Sequence, residues 1–181
     1  MKNFFILSLL FFANFMNMNT PEEENITAEK ALSQSFQGTT YYLIRHAEKD
    51  RSNSANNDPS LNEEGKARAQ KWAEVFADVP LDAIYSTDFT RTKQTAKDVA
   101  KSKNIEIKTY DHNNLYDENF QEATKGKKVL VVGHSNTTPQ FANAILRENK
   151  YENLPDDENG ALFIVNIDPQ GNRTSQVLYI N

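Results

Sequence analysis

The sequence contains no cysteine. That excludes disulfides, a thiolate nucleophile, Cys-ligated metals and a lipobox-type lipid anchor. Histidine is scarce too, with three in 181 residues. Positive charge is not in excess: 20 Lys and Arg stand against 25 Asp and Glu, a formal net charge of -5. Nucleic-acid binders usually carry a basic stripe, so no nucleic-acid partner is expected. The short cluster Lys125-Gly126-Lys127-Lys128 reads as a solvated loop before a strand. There is no internal repeat and no second domain, and the length fits one domain.

Long apolar runs are also missing, apart from one. Phe4 to Ala13 follows Lys2 and has the length of a signal-peptide core, too short to span a bilayer comfortably. Residues 1–20 are therefore expected to be a cleaved export signal. The protein would then be periplasmic or extracellular, with no stable membrane insertion; an uncleaved N-terminus would anchor it. Residues 21–38 read as a polar linker with a helical turn or two near Thr27–Ser35, and 39–181 as the folded domain.

What is present is organised around one junction. The run Tyr41-Tyr42-Leu43-Ile44 has strand character and leads straight into Arg45-His46-Ala47-Glu48-Lys49. Val129 to Gly133 repeats the design and leads into His134-Ser135-Asn136. Side chains leaving the C-terminal ends of strands in an open α/β sheet point into the crevice where ligands bind. An Arg beside a His there suits an anionic ligand. Arg91 falls in the first turn of a helix, where a cation opposes the macrodipole; beside free N–H groups it would help form an anion pocket.

The remaining pattern fills in the elements. Ser60-Leu61-Asn62-Glu63 reads as a capping box with Ser60 at the N-cap. Leu61, Gly65, Ala69, Trp72 and Phe76 then share the buried face of the helix. Strands are expected at Leu81–Ser86, Ile105–Tyr110, Lys128–Gly133, Ala161–Ile167 and Thr174–Ile180. Helices are expected over Asp88–Lys101, capped by Ser86 or Thr87, over Glu118–Lys125, and from Thr137 or Thr138 to about Glu148. Phe141, Ala144 and Ile145 are the expected core of the last helix. Asp168-Pro169-Gln170-Gly171 reads as the turn of a terminal hairpin. Alternating strands and helices imply an α/β three-layer sandwich: a mostly parallel sheet, helices on both faces, and an antiparallel C-terminal strand pair.

Three segments together resemble the histidine phosphatase superfamily, whose fold is called phosphoglycerate-mutase-like. They are Leu43 to Lys49, Ile84 to Ala96, and Val131 to Asn136. The resemblance implies that His46 is a nucleophile that becomes phosphohistidine. It implies that Arg45 and Arg91 clamp the phosphoryl oxygens, with His134 completing the pocket and Ser135 and Asn136 beside it. No metal or other cofactor would be required. Ser135 replaces the Asp that follows the second His in the other branch, so the chain resembles the mutase-type branch. Ala47 stands where many members have Gly, as in small phosphohistidine phosphatases. Asp117, with Glu118 next, sits where many members place a proton donor; without one, phosphoramidates, acyl phosphates and aryl phosphates would be favoured.

The implied partner is a phosphorylated small molecule or a phosphohistidine protein. Three other readings compete. One is a non-catalytic phosphate- or partner-binding protein on the same fold. Another is a phosphoglycerate-mutase-type phosphotransferase. The third is a metal-dependent hydrolase built on His46, Glu48, His134 and Asp111 or Asp117. Lys49 and Arg51 read as solvated charges near the pocket mouth, and His112 as a surface loop residue.

Overall fold

The valine-rich run Val129–Val132 is buried on both sides, as a central strand covered by two helix layers requires. It forms β4 (Lys128–Gly133) of one sheet in a computed structural model that describes residues 38–180. The expected export signal and nearly all of the expected linker lie outside those residues. The other strands are β1 (Thr39–Arg45), β2 (Ala83–Ser86), β3 (Ile107–Thr109), β5 (Ala161–Ile167) and β6 (Arg173–Tyr179). Their order is β3-β2-β4-β1-β5-β6. Strands β3, β2, β4 and β1 run parallel, while β5 and β6 are antiparallel.

Right-handed crossovers decide where the helices lie. The chain moves in one direction from β1 through α1 (Glu63–Val75) to β2, then through α2 (Thr90–Lys103) to β3. It turns back through α3 (Glu118–Thr124) to β4 and onward through α4 (Thr137–Leu146) to β5. The reversal puts α1 and α2 on one face and α3 and α4 on the other. Trp72, Phe76, Ala96 and Val99 accordingly pack on Ile44, Ile84, Leu130 and Val132. Phe120, Phe141 and Ile145 pack on Tyr41, Leu43, Val129 and Val131. Trp72 is fully buried, so Trp72→Ala is expected to cost about 3–5 kcal/mol. The α/β three-layer sandwich is thus the observed fold, and among the described residues no helix is long and apolar enough to cross a membrane.

Several element ends differ from expectation, for local reasons. Helix α1 is capped by Asn62, whose side chain accepts from the Gly65 N–H, and not by Ser60. Leu61 is drawn into a bridge with Lys49 and buried, which keeps residues 60 and 61 extended. Helix α2 begins at Thr90 because the Thr87 hydroxyl is used elsewhere. In α4 the buried face runs through Phe141, Ala142 and Ile145, with Ala144 only half-buried.

Candidate active site

Connections from β1 and β4 leave in opposite directions, so the crevice at their C-terminal ends is the topological switch point. Arg45 pairs with Gly133 in the register. His46 and His134 therefore leave adjacent strands side by side, with ring centroids 5.5 Å apart. Gly133, just before His134, has no room for a side chain. A Cβ there would stand 2.9 Å from the Thr138 and Tyr110 hydroxyls.

His46 is held from every side. Its N–H continues the ladder to Gly133 O at 2.9 Å, and its carbonyl accepts from Asn159 Nδ2 at 2.8 Å. The next residue, Ala47, donates its N–H to Thr95 Oγ1 of α2 at 2.9 Å. In the ring, Nδ1 lies 2.8 Å from the Ala47 carbonyl. A carbonyl only accepts, so Nδ1 carries the proton and Nε2 keeps a free lone pair. Burial, with Arg45, Arg91 and His134 nearby, lowers the His46 pKa to about 3. The imidazole is neutral at neutral pH.

His134 has the opposite tautomer. Arg91 Nη2 approaches Nδ1 at 3.4 Å, so Nδ1 accepts and Nε2–H donates to Thr87 Oγ1 at 3.0 Å. Thr87 passes its own proton to Thr92 Oγ1 at 2.9 Å. Burial first, then Arg91, lowers the His134 pKa to about 4. The Arg91 guanidinium carbon also sits 4.4 Å over the Phe89 ring.

Arg45 is buried under the loop before β5. Its Nη1 meets the carbonyls of Pro155, Asp156 and Glu158 at 2.9, 3.0 and 2.9 Å. Its Nη2 pairs with Asp156 Oδ1 at 3.2 Å. The Nε atoms of both Arg45 and Arg91 are buried without an acceptor. A cavity of about 610 Å³ opens beside Arg45 and His46. Lys49 and Arg51 line it, with Glu48, Asp50, Asp156 and Asn159. The two cations thus belong to the pocket wall, and Arg51 pairs with Asp156 at 2.9 Å.

The structure brings Arg45, His46, Arg91 and His134 together and leaves Asp117 apart. Asp117 caps α3, accepting from Phe120 N–H at 2.7 Å and Asn114 Nδ2 at 2.9 Å. It lines a separate depression with Tyr85, Thr109 and Asn114. Ser135 and Asn136 form the turn into α4, where Asn136 caps without a side-chain hydrogen bond. His112 is not a free surface residue: its ring lies 6.1 Å from His134 and 5.6 Å from Phe89. Sequence reasoning missed Thr87, Asn159 and Asp156. Thr87 did carry a signal, a hydroxyl directly after a strand, but it read as a helix cap.

Such a group of donors around a neutral imidazole can meet an oxyanion and attack it. Comparison with known proteins points the same way. Residues 41–114 match the histidine phosphatase superfamily (branch 1). Phosphoserine phosphatase 1 of Hydrogenobacter thermophilus is 38% identical over 69 residues, which is 36% of this chain and only 33% of that relative's length. A SixA protein from Agrobacterium tumefaciens, assigned as a phosphohistidine phosphatase, is 25% identical with a TM-score of 0.59, covering 78% of this chain and 99% of that one. A mycobacterial glucosyl-3-phosphoglycerate phosphatase shares the fold at 13% identity, with a TM-score of 0.58 over 80% of this chain and all (100%) of that one. Motif segments, sheet order and matched relatives agree: the chain is similar to the histidine phosphatase superfamily, through the model match over residues 41–114 and a shared fold.

Proposed function

We propose that this protein is a metal-independent phosphatase that hydrolyses a phosphomonoester or phosphoramidate through a phosphohistidine on His46. The observation that carries this reading is the His46 tautomer. Its Nδ1–H is committed to the Ala47 carbonyl and its Nε2 lone pair is free.

In the first step His46 Nε2 attacks phosphorus. The P–N bond forms as the bond to the leaving oxygen or nitrogen breaks, and the electron pair departs with that atom. As the ring becomes cationic, the Nδ1–H bond to Ala47 O strengthens. Arg45 and Arg91 meet the charge spread over the phosphoryl oxygens, which is the main work of phosphoryl-transfer catalysis. Each guanidinium has five N–H donors, and those not taken by Asp58, His134 or the 155–158 loop remain for the anion. In the second step water attacks phosphorus, the P–N bond breaks with its electron pair returning to Nε2, and the water's protons leave with the phosphate or to solvent, splitting hydrolysis in two.

Asp117 is occupied as a helix cap, which supports leaving groups that need little protonation, such as phosphoramidates and aryl phosphates. A phosphorylated small molecule or a phosphohistidine protein fits that description. A metal-centred reading is less well supported: Glu48 Oε1 is bound to Arg68 Nε at 2.7 Å, and Asp117 is elsewhere.

The test is aryl phosphate hydrolysis by residues 21–181 with chelator present. Turnover should survive the chelator and disappear in His46→Ala, with the fold intact. Arg91→Ala should cost far more than Lys49→Ala. Activity retained by His46→Ala would refute the mechanism.

A further inference from the structure

Asp58 lies in the loop between β1 and α1, yet its carboxylate serves the start of α2. Its Oδ1 accepts the Thr90 N–H at 2.9 Å, and Oδ2 lies 3.1 Å from the same nitrogen. Oδ2 also accepts the Thr90 hydroxyl at 2.7 Å. The residue at the N-cap of α2, Phe89, makes no side-chain cap. Asp58 thus supplies from 32 residues away what a local N-cap would supply.

The same Oδ1 lies 3.4 Å from Arg91 Nη1. Arg91 is then held on three sides: Asp58 at Nη1, His134 at Nη2, and Phe89 against its flat face. Of its five N–H donors, one on Nη1 and one on Nη2 are engaged, and the others remain for an anion. A planar guanidinium fixed this way has one orientation to offer an anion. A free arginine would have to be ordered at the moment of binding, at a cost in rotamer freedom.

We propose that Asp58 is a positioning residue for the oxyanion site, holding the Arg91 guanidinium in the plane that presents its remaining N–H donors to the phosphoryl group. This rests on the phosphatase reading for its biological meaning, but not for its test. A carboxylate near an anion site would be unfavourable if it faced the ligand. Here it is half-exposed, is anchored on Thr90 at the start of α2 and takes Nη1, leaving Nη2 on the side of His134.

The probe is tungstate, with its Kd measured by calorimetry on the chain lacking residues 1–20. Asp58→Ala should weaken tungstate binding roughly 10-fold, the size expected when a pre-placed binding group is allowed to move. In an Arg91→Ala background the same change should cost less than about 2-fold, because coupled residues are non-additive. A pure helix cap would lower Tm in both backgrounds and weaken binding equally in both. Equal losses, no loss, or no tungstate binding by the unsubstituted chain would each overturn the proposal. If Asp58→Ala does not fold, Asp58→Asn takes its place. It keeps an acceptor for the Thr90 N–H but loses the charge on Arg91, so binding should still weaken while Tm holds; unchanged binding would overturn the proposal. Turnover by His46→Ala separates the two ideas. Activity retained there with coupling intact would sink only the phosphatase mechanism, and lost activity with no coupling would sink only the role of Asp58.

Discussion

His46 donates its Nδ1 proton to the carbonyl of Ala47, one residue along, at 2.8 Å. The bond fixes the tautomer and aims the ring, while burial keeps the ring neutral and makes stability depend on pH. The folded pKa of about 3 lies below the usual 6.5. Between those values the unfolded chain binds a proton that the folded chain refuses. Stability is therefore complete above the unfolded pKa and is lost as the pH falls toward the folded one. One such proton gives a slope of at most about 1.4 kcal/mol per pH unit. His134, lowered to about 4, acts in the same direction. Denaturant unfolding from about pH 7 to pH 4.5 should show a steeper loss for the unsubstituted protein than for His46→Ala. Parallel curves would mean that His46 is not held neutral.

Thr87 sets the tautomer of His134 by accepting its Nε2–H at 3.0 Å. The residue is fully buried. Thr87→Val keeps the shape and removes the acceptor, leaving a half-buried donor unpaired. The expected cost is about 1–3 kcal/mol of stability, with a clear drop in kcat and a smaller change in KM. Aryl phosphate kinetics and thermal unfolding would check both. Unchanged kcat would mean that Arg91 alone fixes the His134 ring.

Much of this was legible in the sequence because strand ends have signatures. The runs before His46 and His134 are apolar on both faces, and the change to polar residues marks where the sheet stops. Arg91 gave only a hint, its uncomfortable place in a helix start; on those residues alone it read as a solvated arginine, and the family likeness singled it out. The loops hid the rest. Asp156 and Asn159 reach the site only because β5 runs antiparallel and brings the preceding loop over Arg45, and no local pattern encodes that return. Asp117 misled for the opposite reason. It lies at the position in the chain where the family likeness placed an acid, but α3 needs an N-cap there, and the carboxylate is consumed by it.

Two glycines should rank differently. A Cβ at Gly65 would sit 2.1 Å from the Glu48 carbonyl oxygen, backbone against backbone. Neither side can yield without moving α1 away from the loop that follows His46. At Gly133 the nearest atoms are the Thr138, Tyr110 and Thr137 hydroxyls at 2.9, 2.9 and 3.0 Å. Those are side-chain atoms, which can shift at less cost than backbone, though the two threonine hydroxyls are buried and hydrogen-bonded. Overpacking usually costs about 1–3 kcal/mol and sometimes more. Gly65→Ala is expected at or beyond the top of that range, and Gly133→Ala nearer the bottom. Denaturant midpoints would show the order, and a reversed order would mean that the α1 contact is softer than its geometry.

Arg45 and Arg91 are expected to play the same part toward a phosphoryl group, but only Arg45 is also a staple. Three carbonyls of residues 155–158 converge on its Nη1, and Asp156 takes its Nη2. Those bonds hold the loop that leads into β5, which is hydrogen-bonded to β1 along its length. Arg45→Ala should therefore lose activity and roughly 2–4 kcal/mol of stability, since carbonyls that had a charged donor are left to find water. Arg91→Ala should lose activity with a much smaller change in stability, because its contacts with Asp58 and His134 are long, at 3.4 Å each. Arg45→Lys should fall between, keeping a charge without the fork that reaches several acceptors. Chemical denaturation of the three variants beside their kcat/KM values would check this. Equal destabilisation by Arg45→Ala and Arg91→Ala would mean that the loop before β5 is held by its own contacts and not by the arginine beneath it.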